Sequence, residues 1–141
     1  MNRLRHILVI EDCDEDFETV LDAAERTSVE NEIRRAISGD ECLKLLQESS
    51  QNKNTSPALV LLDLNMPKGD GRNALQQIKR DDLFCGLPVV VLSTSDNPLD
   101  LEFCYKNGAN AYHVKPVNHG DHLRVLEQIF GYWLSSVILS N

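Results

Sequence analysis

Three runs in this chain are almost pure Val, Ile and Leu, and their spacing constrains the fold more than any other feature. They are His6–Ile10, Ala58–Leu62 and Pro88–Leu92. Runs this short and this continuous suit strands covered on both faces of a parallel sheet. Two weaker runs, Glu32–Ile37 and Ala109–Val114, complete a set of five. Segments of helical period lie between and after them. Phe17, Val20, Leu21 and Ala24 share one face; so do Cys42, Leu45 and Leu46, and then Ala74, Leu75 and Ile78. Leu99 and Phe103, followed by an Asn107-Gly108 stop, predict a fourth helix, and Leu123, Leu126 and Phe130 a fifth. Strict alternation of strand and helix predicts an α/β fold with an open parallel sheet and helices on both faces.

The 141 residues suit one domain. The polar stretch Ser49–Pro57 reads as a surface loop within it. A net charge of −8 opposes direct contact with nucleic acid or an anionic membrane surface. The basic N-terminus is followed too soon by Glu11 and Asp12 for a secretory signal, and no apolar run approaches a bilayer span. Cys13, Cys42, Cys85 and Cys104 are scattered, which predicts reduced thiols and a cytoplasmic setting.

In an open parallel sheet, ligands bind beyond the carboxyl ends of the strands. The residues that follow the runs are therefore informative. They are Glu11 and Asp12 after the first, Asp63 after the third, Ser93 after the fourth and Lys115 after the fifth. Any one could be an ordinary solvated loop start, but together they place three carboxylates, a hydroxyl and an ammonium on one edge. Such carboxylates need a cation, and Mg²⁺ takes one or two carboxylates with water and phosphoryl oxygens. These are the parts for phosphoryl transfer to an aspartate. Asp63 follows the most apolar run and is the candidate nucleophile; Glu11 and Asp12 are candidate metal partners.

Val-Ile-Glu11-Asp12, Leu-Leu-Asp63-Leu-Asn65-Met-Pro67 with Asp70-Gly71, Leu-Ser93 and Val-Lys115-Pro116 resemble the receiver domain of two-component response regulators. The resemblance runs from about His6 to Phe130, with the motifs in order. It implies a flavodoxin-like (βα)5 fold of strand order 2-1-3-4-5 and a phosphoryl group passed from a histidine kinase to Asp63. It also implies Mg²⁺ held by Asp12, Asp63 and the backbone carbonyl of Asn65, with Glu11 acting through water. Ser93 would be the switch hydroxyl, Tyr112 the aromatic that rotates with it, and Lys115 the phosphoryl ligand; a half-buried strand residue is the plainer view of Tyr112. Two positions depart from the pattern. Thr94 stands where a very small residue is usual, and Val117 replaces an aromatic.

Two other functions share part of this residue set. An aspartate-nucleophile phosphatase of the haloacid-dehalogenase type needs a second acid where this chain has Asn65, and more length for a cap. A non-phosphorylated pseudo-receiver would have no use for the carboxylate cluster. His119-x-x-His122 lacks a third ligand at suitable spacing, and Asp70 is expected to cap the third helix.

Residues 1–130 would form the receiver and 131–141 an apolar tail. Phe130, Trp133, Leu134, Val137 and Ile138 fall on one helical stripe, which either folds back or forms a partner surface. With the polar loop and the Leu-Asn-Met-Pro-Lys run, the tail resembles stand-alone regulators that serve phytochrome-type kinases and pair as homodimers. The 26 residues after Lys115 are too few for a DNA-binding output domain, which would need about 50. The expectation is a stand-alone regulator, not an enzyme acting on other substrates, that signals through protein contacts.

Overall fold

Each apolar run becomes a strand, and each periodic segment a helix packed over it. The computed structural model describes residues 5–51, 56–67, 70–136 and 139. In chain order the elements are β1 (Ile7–Ile10), α1 (Asp14–Arg26), β2 (Ile33–Ala36), α2 (Gly39–Ser50), β3 (Leu59–Asp63) and α3 (Asp70–Arg80). Then come β4 (Val89–Ser93), α4 (Pro98–Lys106), β5 (Ala111–Val114) and α5 (His119–Gly131), which runs on into a π-helical turn, Tyr132–Ser136. The five strands are parallel in the order β2-β1-β3-β4-β5.

The alternation of side chains along the strands divides the core in two. Leu8, Ile10, Val60, Leu62, Val89 and Val91 face Cys42 and Leu46 of α2, Leu75 and Ile78 of α3 and Cys104 of α4. Ile7, Val9, Leu59, Leu61, Val90 and Leu92 face Val20 and Ala23 of α1 and Leu126, Ile129 and Phe130 of α5. The central strands are buried along their whole length, whereas β2 and β5 at the edges are mostly half-buried. That explains why the weaker runs, Ile-Arg-Arg-Ala and Ala-Tyr-His-Val, still make strands. On the β5 edge the Tyr112 N–H is met by the Tyr105 hydroxyl of α4, at 3.1 Å.

Local chemistry ends and starts the helices as the sequence suggests, with two exceptions. Ser38, Asn97 and Asn118 accept N–H bonds at the N-termini of α2, α4 and α5. Gly108 takes φ +92° just beyond α4, a conformation that suits a residue without Cβ. Asp70, however, lies within the first turn of α3, and its carboxylate accepts the Gly39 N–H of α2 at 2.6 Å. It serves the neighbouring helix because the start of α3 packs against the start of α2. Leu99 is the second exception. The helix it marked is present, but Leu99 is 71% exposed, and Cys104 is the residue α4 buries.

Phe130 of the predicted partner stripe is a core residue, 1% exposed, and Trp133 and Leu134 pack partly against the same cluster. The described part of the stripe therefore folds back on its own domain. Val137 and Ile138 lie outside the described residues. Among the described residues no helix is long and apolar enough to cross a membrane. The four cysteines are unpaired, Cys42 and Cys104 buried and Cys13 and Cys85 exposed.

Candidate functional site

The parallel sheet delivers the predicted residues to one edge. Glu11 directly follows β1, Asp63 ends β3, Ser93 ends β4 and Lys115 directly follows β5. Register brings the ends level, with Asp63 opposite Leu92 and Ser93 opposite Val114. The backbone is tied there as well: the Leu64 N–H donates to Leu92 O at 2.8 Å, and the Lys115 N–H to Ser93 O at 2.7 Å.

The Asp63 side chain sits in a small basin of charge. Glu11, Asp63 and Lys115 are all at least nine-tenths buried, and Asp12 is exposed at the rim. Glu11, Asp12 and Asp63 each offer a carboxylate oxygen within 4.8 Å of the other two. This is the one such metal-ligating cluster among the described residues. Lys115 Nζ donates to Glu11 Oε1 at 3.0 Å and to Asp16 Oδ2 at 2.9 Å, and lies 3.5 Å from Asp63 Oδ2. Asp63 also accepts the Asn65 N–H, at 2.9 Å.

The electrostatics follow from this crowding. Burial, reinforced by hydrogen bonding to Asp63 and by its charge, pushes the Glu11 carboxyl up to about 7 despite Lys115. Burial alone would lower Lys115, but Asp63, Asp16 and Glu11 together hold it above its ordinary value. One ammonium thus faces three carboxylates, with Asp12 close by. The donors are all hard oxygens, which fits a small divalent cation and gives no foothold to a soft one.

Ser93 is fully buried, and its hydroxyl accepts the Ser95 N–H at 3.1 Å. Tyr112 is half-buried and donates its hydroxyl to Ser95 O at 2.7 Å. The two predicted switch groups therefore share one partner, Ser95. Asn65 Oδ1 accepts the Thr94 N–H at 2.6 Å, which joins the loop after β3 to the loop after β4. Thr94 is exposed, as is Val117.

Four contributors were not visible as motifs. Asp16, one helical turn beyond Asp12, was legible only as part of the acidic first turn of α1. Arg35 of β2 donates to Glu11 O at 2.9 Å and pairs with Asp14 at 2.8 Å, fixing the backbone beside the cluster. Asp100 and Arg72 meet beside Ser95. His119 and His122 border an open cleft of about 670 Å³ between α1 and the start of α5. His119 lies 3.5 Å from the Thr19 hydroxyl, and neither histidine joins a metal-ligating set among the described residues.

Comparison with known proteins places this geometry. Residues 7–127 match the family model described as the response regulator receiver domain. The chain is 38% identical over 128 residues to the probable methanogenesis regulatory protein FilR2 of Methanothrix harundinacea, covering 91% of this chain and 83% of FilR2. It is 34% identical over 134 residues to response regulator Rcp1 of Synechocystis, covering 94% of this chain and 91% of Rcp1. The Mn²⁺-bound structure of Rcp1 superimposes with a TM-score of 0.88 at 33% identity, covering 97% of this chain and 99% of that one. The phosphorylated cyanobacterial phytochrome response regulator RcpA superimposes with a TM-score of 0.90 at 33% identity, covering 99% and 100% of the two chains. The five-stranded sheet in the order 2-1-3-4-5 agrees with the fold of these solved neighbours, and the chain belongs to the response regulator receiver family.

Proposed function

We propose that this response regulator accepts a phosphoryl group on Asp63 from a sensor histidine kinase and signals through contacts that change as a result. The observation that carries the proposal is the setting of Asp63. It is a carboxylate 4% exposed at the end of a strand buried along its whole length, clustered with two acids and 3.5 Å from Lys115. A purely structural aspartate gains nothing from so costly a neighbourhood.

In the transfer, an Asp63 carboxylate oxygen attacks the phosphorus of a phosphohistidine. The new O–P bond makes an acyl phosphate, the N–P bond breaks, and the imidazole leaves with the electron pair. Water later attacks the acyl phosphate and releases inorganic phosphate, restoring the carboxylate. Lys115 exchanges part of its carboxylate contact for a phosphoryl oxygen, and the Ser93 hydroxyl donates to another. Tyr112 turns as Ser93 does. Asp12, Asp63 and the backbone carbonyl of Asn65 would hold Mg²⁺, with Glu11 acting through water. When bound, the ion offsets the negative charge of the attacking and transferred oxygens.

The likeness to the cyanobacterial phytochrome response regulator RcpA supports a phytochrome-type kinase as the donor. The C-terminal segment supports a homodimer. Trp133 and Leu134 are only partly covered by their own domain, and Tyr132 is 55% exposed. The charge of −8 argues against direct nucleic-acid contact, and the four unpaired cysteines suit a reducing cytoplasm.

The test is incubation with a small-molecule phosphodonor and Mg²⁺, followed by intact mass and peptide mapping. The expected result is one added phosphoryl group on the peptide containing Asp63, absent without a divalent cation. A gain that survives Asp63→Ala would overturn the proposal.

A further inference from the structure

Outside the acidic cluster, a second polar arrangement surrounds Ser95. Its N–H donates to Ser93 Oγ at 3.1 Å, and its carbonyl accepts the Tyr112 hydroxyl at 2.7 Å. Its own hydroxyl donates to Asp100 Oδ2 of α4 at 2.5 Å and accepts the Asn97 N–H at 3.1 Å. The other Asp100 oxygen pairs with Arg72 of α3, whose guanidinium lies 4.8 Å over the Phe103 ring. An unbroken chain of contacts therefore runs from α3 through Arg72, Asp100 and Ser95 to both switch groups.

We propose that Arg72 and Asp100 are positioning residues for the switch, and that their ion pair holds Ser95, and through it Ser93 and Tyr112, in the resting arrangement. The inference rests on the phosphoacceptor function proposed above. If Ser93 turns its hydroxyl to a phosphoryl oxygen and Tyr112 follows, Ser95 loses two of its four partners. The hold of Asp100 then decides how firmly Ser95 waits for their return. An interaction shifts a two-state balance only when it differs in strength between the states. Here the difference arises because Ser95 can satisfy Ser93, Tyr112 and Asp100 together only in the resting arrangement. Asp100 is drawn to its ionised form by the Ser95 hydroxyl and by Arg72, which keeps the pair charged.

Weakening the pair therefore makes the phosphoryl-like state easier to reach. The direct measurement is the affinity of the full chain for beryllofluoride, a phosphoryl mimic, at saturating Mg²⁺. Asp100→Ala and Arg72→Gln are each expected to tighten binding about two- to fivefold, the size expected of a half-exposed ion pair. In a Ser95→Ala background, Asp100→Ala is expected to add little, because the route runs through the Ser95 hydroxyl. Both single variants should melt at a lower temperature than wild type when free, and the gap should narrow in the beryllofluoride complex. A merely structural contact would keep that gap constant. Mg²⁺ affinity measured alone should not move.

Unchanged or weaker beryllofluoride binding in both single variants, with wild type binding normally, would overturn the positioning role. So would full additivity with Ser95→Ala, an equal melting deficit in the complex, or a matching change in Mg²⁺ affinity. If wild type itself fails to bind beryllofluoride, the phosphoacceptor function fails, and the positioning role falls with it. Arg72 is 37% exposed, so Arg72→Gln remains informative even if Asp100→Ala folds poorly.

Discussion

Lys115 lies closer to Asp16, at 2.9 Å, than to Asp63, at 3.5 Å. The ammonium is thus shared between the wall of the site and its reactive centre. Replacing it with Met leaves Glu11 and Asp63 buried without their counter-charge. Lys115→Met is expected to cost about 3–5 kcal/mol in urea unfolding without metal. Saturating Mg²⁺ should recover part of that loss, since a cation among the carboxylates replaces some of the missing charge.

Gly71 brings the start of α3 close against the Asp63 backbone. A Cβ there would meet Asp63 O at 2.7 Å and Leu64 Cα at 3.0 Å. Both neighbours are main chain and cannot swing away. Gly71→Ala is expected to destabilise by about 1–3 kcal/mol and to slow labelling of Asp63 by a small phosphodonor. Gly39→Ala meets a mixed obstacle: its Cβ would lie 2.5 Å from the Asp70 carboxylate, which can yield, and 2.9 Å from the Asp70 carbonyl oxygen, which cannot. It is expected to cost about 1–3 kcal/mol and to lose the Asp70–Gly39 hydrogen bond as well.

Lys79 fastens the end of α3 to the entry of β4. Its ammonium donates to Leu87 O at 2.6 Å, Asn110 Oδ1 at 3.0 Å and Cys85 O at 3.1 Å. Burial holds its pKa below the ordinary lysine value. Lys79→Met keeps the apolar stem but strands these acceptors, with an expected cost of about 1–3 kcal/mol in denaturant unfolding.

His6 at the start of β1 is buried. Burial and the nearby Arg34 hold its pKa down at about 4, against partial opposition from Glu32. The folded protein therefore favours neutral His6. Its contribution is fully present above the unfolded value near 6.5 and is lost as pH falls through about 4. Over that window the slope is expected to approach about 1.4 kcal/mol per pH unit. Stability curves for wild type and His6→Leu between pH 4 and 8 should differ in slope only on the acid side.

The thiols should divide into two pairs. Burial raises Cys42 to about 12 and Cys104 to about 11, while Cys13 and Cys85 are exposed. Folded protein is expected to react rapidly with a thiol reagent at Cys13 and Cys85, and at Cys42 and Cys104 only after denaturation.

The strands were legible because sheet-core runs such as Leu59-Val60-Leu61-Leu62 leave few alternatives. The position of Asp63 at the end of one followed directly. The limits lay where a side chain serves an element distant in sequence. Asp70 looked like the cap of its own helix but bonds Gly39, 31 residues away. Leu99 had the right spacing for a buried face, but α4 turns Cys104 inward instead, and no local pattern encodes that rotation. The stripe from Phe130 was periodic as expected, yet periodicity cannot say whose surface covers it. Asp16 and the Arg72–Asp100 pair look like ordinary solvated charges in the sequence; only their approach to Lys115 and Ser95 gives them a part in the site.

The Tyr105 hydroxyl at the Tyr112 amide has a further consequence. A free edge strand invites a foreign strand to continue the sheet. On β5 one outward amide is already claimed by a side chain of the same domain, and a strand joining there would first have to evict it. Main-chain pairing at this end of the sheet therefore carries a cost that the bare backbone of β5 would not impose.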